Sequence, residues 1–289
     1  MIRYKNWLKI VGFLFVLPAL LHLFVFKLYP LIEAFKLSFF KYDLMSPPVF
    51  VGLLNYQNLW DNPLFHQSFL NSVIYMLGVS VPEWFLALIL ALLLNRPMLG
   101  RPFIRLAYFI PIAMSQIVVA VIWKFMYHPQ GLINTIIGIF GIDRINWLSS
   151  EQTALASLIM IGVWRGIPLF GIIYLAGLQS IPKDYHEAAM IDGANVFQRF
   201  FYITLPLLLP TVLFVIVISL ISSVKVFLNP LVITGGGPNG STKVLPYFIY
   251  ETGFTYFRMG EAAAASTILF ILIFFLTLFF LRVLKKGGI

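Results

Sequence analysis

The sequence has 289 residues, of which 60% are hydrophobic and only 11% are charged. Soluble domains carry about 25% charged residues, so this composition excludes an ordinary soluble protein and predicts an all-α chain that crosses the membrane several times. The absence of cysteine excludes disulfides and thiolate metal sites, and the net charge of +9 indicates basic residues at the inner membrane face, not nucleic-acid binding.

Six apolar stretches are long enough to cross a bilayer of about 30 Å as helices. We expect them near residues 8–28, 69–95, 103–126, 153–178, 205–232 and 260–283. The expected fold is therefore a single six-helix transmembrane domain over residues 1–289.

The positions of the basic residues predict the orientation of these spans. With the N-terminus inside, eleven of the twenty Lys and Arg residues fall in inner segments and seven in the longer outer loops. The positive-inside rule then places both termini in the cytoplasm, together with the loop 180–200.

The second span carries a carboxylate, Glu83, near its middle. A carboxylate at that depth is costly and is a functional hypothesis by default. Ion pairing or simple burial is one explanation. The other is a proton site, which would suit a proton-coupled secondary transporter.

The third and fourth spans carry polar residues at mid-depth. Gln116 is neutral, but Arg165 is charged, and placing an arginine there costs roughly 2.5–3.5 kcal/mol on insertion scales. Gly162 and Gly166 are expected to leave space beside Arg165 on one helical face. This charge needs water, a carboxylate or a substrate.

The fifth span has a polar stripe on one helical face. Ser219, Ser222, Lys225 and Asn229 follow one another at spacings of three, three and four residues. Because lipid cannot satisfy these groups, the stripe should face an aqueous path or a polar helix. For Lys225, snorkelling to the outer interface is an alternative.

The loop 180–200, between spans four and five, has the pattern of a helix, a sharp turn and a second helix. Ser180 is expected to cap the first helix, with Pro182 in its first turn. Gly193 supplies the positive φ of the turn, and Asn195 with Gln198 resembles a capping box for the second helix.

This loop carries a recognisable motif. Glu187, Ala188 and Ala189 are followed three residues later by Gly193, and nine residues after it by Ile203-x-Leu205-Pro206. The motif resembles the cytoplasmic signature loop of permease subunits in binding-protein-dependent ABC importers. The flanking Leu-Gln-x-Ile-Pro at 178–182 is similar to the carbohydrate branch of that family. The later Thr-Gly-Gly-Gly-Pro at 234–238 resembles the larger maltose-permease type of subunit.

The resemblance implies a type I ABC importer transmembrane domain with a cytoplasmic coupling helix that docks on an ATPase subunit. The residues implied in coupling to the ATPase are Tyr185, Glu187, Ala188, Ala189, Asp192, Gly193, Ala194 and Phe197. The implied partners are a second permease subunit, two ATP-binding subunits that hold ATP and Mg, and an extracytoplasmic solute-binding protein. The implied location is the cytoplasmic membrane of a bacterium or archaeon.

The resemblance also implies a substrate path through the spans. The residues matching pocket-lining positions are Ile112, Gln116, Gly162, Arg165, Gly166, Ser222, Lys225 and Asn229. Two cations there favour an anionic cargo, such as a uronate oligosaccharide or a sugar phosphate. No Gly-x-x-x-x-Gly-Lys-Ser/Thr sequence occurs, so we expect a transport subunit that is not itself an enzyme. A purely structural scaffold subunit is a further alternative.

Overall fold

A computed structural model describes residues 2–96 and 99–286. Within these ranges the chain is almost entirely helical, with one short antiparallel strand pair that places Phe40 opposite Phe50. The elements are α1 (Ile2–Leu23), α2 (Tyr29–Leu37), β1 (Phe40–Lys41), β2 (Val49–Phe50), α3 (Leu54–Trp60), α4 (Pro63–Asn95), α5 (Arg101–Ala113), α6 (Gln116–Met126), α7 (Leu132–Ile139), α8 (Glu151–Gln179), α9 (Lys183–Ile191), α10 (Val196–Arg199), α11 (Leu205–Val224), α12 (Leu245–Tyr250) and α13 (Met259–Lys286). Short π-helical turns occupy Phe24–Leu28, Phe200–Thr204, Pro230–Thr234 and Glu251–Thr255.

Six segments of the described chain are long and apolar enough to span a membrane, as the sequence predicts. Five are continuous helices and one is a bent helix pair. The continuous ones are Val11–Leu37, Pro63–Asn95, Glu151–Gln179, Val196–Val224 and Met259–Arg282.

The third span is not the continuous helix predicted for 103–126. It breaks at Met114 and Ser115, and Pro102–Ala113 and Gln116–Met126 meet at an angle of 100°. Pro111 lies in the last turn before the break and has no N–H to donate to the preceding turn. The backbone at Met114 is extended, with ψ of 142°, which ends α5.

The fifth span also differs from its predicted extent of 205–232. Its last helix, α11, ends at Val224, and Lys225 has left regular helical geometry, with φ of −88° and ψ of 7°. Only a π-helical turn at Pro230–Thr234 follows. Irregular backbone at membrane depth is tolerated where it lines a polar cavity, and this segment does so.

The residues divide into two compact units, of which the first comprises 1–62 and 249–270. In this unit Asn55 is buried and donates hydrogen bonds to the carbonyls of Ser38 (2.8 Å) and Phe40 (2.9 Å). Gly260 lies so close to the Phe40 carbonyl that a β-carbon would collide with it. The Asn55 side chain thus ties α3 to the chain around β1.

The second unit comprises 63–248 and 271–289, and its core forms where α4 packs along α8. Two clusters of buried apolar side chains run along this contact, one around Leu158 and Ile161 and one around Leu94 and Phe170. Gly78 brings the helices together, because a β-carbon there would meet Ile159 at 2.8 Å. The two helices form a rigid frame for the site described next.

Candidate functional site

A cavity of about 480 Å³ lies inside the second unit. Its walls come from α4, the bent pair α5 and α6, α8, and the irregular segment that follows α11. All eight residues predicted for the substrate path line this cavity, namely Ile112, Gln116, Gly162, Arg165, Gly166, Ser222, Lys225 and Asn229. The structure therefore brings the predicted set together, although their role in transport stays a prediction.

Polar residues of the fifth span line the cavity, but they do not form the predicted stripe along one continuous helix. Ser222 lies in the last turn of α11, whereas Lys225 and Asn229 lie beyond the helix end. Ser219 does not face the cavity. It is fully buried and accepts a hydrogen bond of 2.6 Å from Nε1 of Trp84. The unwound backbone after Val224 turns the remaining polar groups toward the cavity.

Three buried polar atoms of the cavity wall have no hydrogen-bond partner among the described residues. They are Oε2 of Glu83, Nη1 of Arg165 and Oδ1 of Asn229. Glu83 and Asn229 are each only 3% exposed. Buried polar groups in native proteins are nearly always paired with protein, water or ligand, so this unpaired set makes the cavity a candidate ligand site. This set offers two acceptors and one donor.

Gly162 and Gly166 do not leave open space beside Arg165, contrary to the prediction. Side chains of α4 fill that space, because a β-carbon at Gly162 would lie 2.7 Å from both the Tyr75 hydroxyl and the Val79 side chain. A β-carbon at Gly166 would collide with the Glu83 carboxylate. The glycines instead let α4 approach α8 closely enough to present Glu83 to the cavity.

The predicted substrate path omits the α4 wall. Tyr75, Val79 and Glu83 all line the cavity, and their spacing of four residues places them on one face of α4. That spacing, together with the intramembrane carboxylate, is the sequence signal from which the α4 wall could have been predicted. The remaining omitted lining residues are Leu169, Phe170, Ser223, Val226, Phe227 and Leu228.

The loop 180–200 forms a helix, a turn and a second helix. α9 ends in a pair of bonds around Gly193, whose φ is +82°: its N–H binds the Met190 carbonyl (3.1 Å), and the Ala194 N–H binds that of Ala189 (2.9 Å). This is the Schellman arrangement, which needs a left-handed residue at this position. The predicted role of Gly193 in the turn is therefore confirmed.

The predicted capping box is confirmed as well. Asn195 Oδ1 accepts from the Gln198 N–H at 2.9 Å, and Gln198 Oε1 accepts from the Asn195 N–H at 2.8 Å. The predicted cap by Ser180 is wrong. Its hydroxyl donates to the Gly177 carbonyl (2.8 Å) at the end of α8, and Pro182 precedes α9 instead of lying in its first turn.

α9 carries no buried residue. Large apolar side chains on and beside it are open to solvent. They are Tyr185, Met190, Ile191, Val196 and Phe197. Several exposed large apolar side chains on one short segment are typical of a protein interaction site. This is the surface on which the predicted coupling residues lie.

Comparison with known proteins assigns the family. The family described as "Binding-protein-dependent transport system inner membrane component" matches residues 72–287. The chain is 35% identical to the probable ABC transporter permease protein YurN of Bacillus subtilis, covering 98% of both chains. It is also 35% identical to the trehalose/maltose transport system permease protein MalF of Thermococcus litoralis, covering 94% of this chain and 93% of the relative.

One further relative and one solved structure are also similar to this chain. The sulfoquinovosyl glycerol transport system permease protein SmoG of Agrobacterium fabrum is 32% identical, with 98% of this chain and 94% of the relative covered. A solved bacterial ABC transporter involved in the import of the acidic polysaccharide alginate superposes with a TM-score of 0.84 at 23% identity. That match covers 98% of this chain and 96% of the solved one, and at this identity it shows the fold alone.

These matches confirm the all-α fold of a type I ABC importer transmembrane domain and the resemblance seen in the loop motif. Because the family match covers most of the length and the relatives align nearly end to end, the assignment applies to the whole chain. The chain belongs to the family of inner-membrane components of binding-protein-dependent transport systems.

Proposed function

We propose that this chain is one transmembrane subunit of an ABC importer that carries a sugar or oligosaccharide across the inner membrane. A solute-binding protein on the outer side delivers the cargo, and the spans pass it inward by alternating access. Relatives that are 32–35% identical are named for the transport of trehalose and maltose, arabinooligosaccharides and sulfoquinovosyl glycerol. The chain itself supplies the path and acts as one transmembrane domain.

The observation that carries this proposal is the set of unpaired polar atoms in the cavity. Sugar hydroxyls both donate and accept hydrogen bonds, so they complement two acceptors and a guanidinium donor. Phe170 and Phe227 in the same wall provide apolar surface beside them. A cavity mainly apolar with a few convergent polar groups is the usual form of a small-molecule site.

The charges of the lining favour a cargo with a negative group. Arg165 and Lys225 are two cations, and Glu83 is the one carboxylate among the described lining residues. A guanidinium recognises a carboxylate or phosphate through two parallel hydrogen bonds. We therefore propose that a uronate or phosphate group of the cargo binds at Arg165 while its hydroxyls face Glu83 and Asn229.

The energy source in this proposal is a pair of ATP-binding subunits. They bind ATP with Mg, close on each other, and move the helix α9 that is seated in one of them. A second, different permease subunit completes the pathway. This chain would then be a transport subunit without catalysis of its own, with both termini in the cytoplasm.

Uptake by the reconstituted transporter tests the cargo. Arg165→Gln is expected to lower uptake of a uronate oligosaccharide about tenfold or more, and to lower uptake of a neutral oligosaccharide of equal length much less. Arg144→Gln, the same change on an exposed outer loop, is the matched control. An equal effect of Arg165→Gln on both sugars would refute the anionic cargo and leave the sugar path standing.

A further inference from the structure

A second cavity, of about 390 Å³, lies near the loop 180–200 and is separate from the proposed sugar path. It is formed where the end of α4, helix α9 and the segment 196–204 meet. Three basic side chains line it: Arg96, which directly follows α4, His186 from α9 and Arg199 from α10. No acidic side chain belongs to its described lining. The cavity is therefore suited to an anion.

The arginines of this cavity lack counterions within the described chain. Neither Arg96 nor Arg199 forms an ion pair with a described carboxylate, and Nε of Arg199 is buried without a hydrogen-bond acceptor. A buried guanidinium N–H that no acceptor satisfies is costly. Arg199 thus calls for an external acceptor with negative charge, and the exposed Arg96 in the same lining adds a second cation.

Apart from Thr204, the rest of the cavity wall is apolar. Leu92, Phe200 and Phe201 line it, and Phe201 is 57% exposed. These residues lie where one span ends, at Asn95, and where the next begins, at Val196. Lipid headgroups lie beside the ends of membrane-spanning helices. A free phosphate ion would use the basic side chains but not this apolar wall.

We propose that this cavity binds the phosphodiester headgroup of an anionic phospholipid. The headgroup lies between Arg96, His186 and Arg199, and its acyl chains lie along Leu92, Phe200 and Phe201. Basic pockets at the cytoplasmic ends of transmembrane helices bind anionic headgroups by this chemistry. Because His186 belongs to α9, a bound lipid ties the coupling helix to the end of α4.

Native mass spectrometry of the full-length chain tests the site. The detergent-purified chain is titrated with phosphatidylglycerol or phosphatidylcholine, and the retained lipid is counted. The wild type is expected to prefer phosphatidylglycerol. Each of Arg96→Gln and Arg199→Gln should lower that preference about fivefold, and the double variant about thirtyfold, since one basic residue near an anionic headgroup contributes roughly a factor of five.

Two controls separate this site from general surface charge and from misfolding. Lys183→Gln removes a cation from the same helix α9 but outside the cavity lining, and should leave the preference unchanged. Arg96→Lys with Arg199→Lys keeps the charge and should retain most of the preference. Equal retention of both lipids by the wild type, or equal losses in Lys183→Gln and the double Gln variant, would overturn the proposal.

Two further arms identify the occupant. Glycerol phosphate, the headgroup without acyl chains, should fail to displace bound phosphatidylglycerol, and displacement would assign the site to a free phosphate compound instead. Addition of the ATPase subunits should leave the lipid in place. Loss of lipid on their binding would assign the cavity to a protein contact and contradict the proposal.

Discussion

The carboxylate of Glu83 occupies the space that any side chain at position 166 would need. A β-carbon built on Gly166 collides with Oε1 and Cδ of Glu83. Glu83 is 3% exposed and reaches the cavity only because α8 has no side chain at this point. One absent methyl group therefore positions a carboxyl group of the proposed sugar path.

Gly166→Ala is expected to lower the free energy of unfolding by about 1–3 kcal/mol, since inserted atoms in a packed interface force neighbours to move. Reversible unfolding in mixed micelles measures this loss. In a Glu83→Ala background the same substitution should cost less than about 0.5 kcal/mol, because the colliding group is gone.

Gly138→Ala is the matched control for that experiment. Its β-carbon would meet nothing within 4 Å, so we expect no loss and a gain of up to about 1 kcal/mol from helix propensity. If Gly166→Ala proved as harmless as Gly138→Ala, the close approach of α4 and α8 at Glu83 would be wrong.

Glu83 also separates an ATP-driven importer from a proton-coupled transporter. For an ATP-driven importer, Glu83→Gln should lower sugar uptake by only about tenfold, because the glutamine keeps one acceptor oxygen. Glu83→Leu removes the acceptor and should reduce uptake further. Glu33→Gln, at an exposed ion pair with Lys36, should change little. Uptake by this chain alone, driven by a proton gradient and abolished by Glu83→Gln, would support the secondary transporter instead.

Most of the fold and much of the site follow from the sequence. Length and apolarity are enough to predict six spans, because the bilayer imposes both. The turn at Gly193 and the box at Asn195 and Gln198 follow from local chemistry. Periodicity alone could not reveal the break at Ser115 or the end of α11 at Val224, because both depend on what the surrounding helices can satisfy.

The residues that α4 contributes to the cavity wall could not be predicted from the glycines of α8 either, because they depend on how α4 packs against α8. A glycine in an apolar helix is compatible with open space and with close packing, and only the neighbouring helix decides between them. The sequence predicts open space at Gly162 and Gly166, whereas the structure places Tyr75 and Glu83 there.

The left-handed turn at Gly193 in the loop 180–200 can be tested by substitution. Gly193→Val places a β-branched residue at a φ of +82°, where L-residues are strained by roughly 1–2 kcal/mol or more. Sugar-stimulated ATP hydrolysis and uptake should both fall while membrane insertion is kept. Asn tolerates this conformation, so Gly193→Asn should retain most activity, and equal activity of the Val and Asn variants would contradict a rigid coupling helix.

The capping box gives a local stability prediction. Asn195→Ala leaves the Gln198 N–H without its acceptor, which typically costs about 1 kcal/mol and should speed its amide hydrogen exchange about fivefold. Gln198→Ala should act similarly on the Asn195 amide. Hydrogen exchange by mass spectrometry on the segment 183–204 reads both effects, and unchanged exchange would mean that the box does not hold α10.

Thiol labelling can show whether α9 is seated in an ATPase subunit, as we propose. The chain has no cysteine, so Ala188→Cys introduces a single exposed thiol on α9. Met45 lies outside the loop and is 84% exposed, so Met45→Cys serves as the control. We expect the thiol at position 188 to react readily in the permease alone and to be protected once the ATPase subunits bind, while position 45 is labelled equally in both. Equal labelling of position 188 with and without the ATPase subunits would contradict the account.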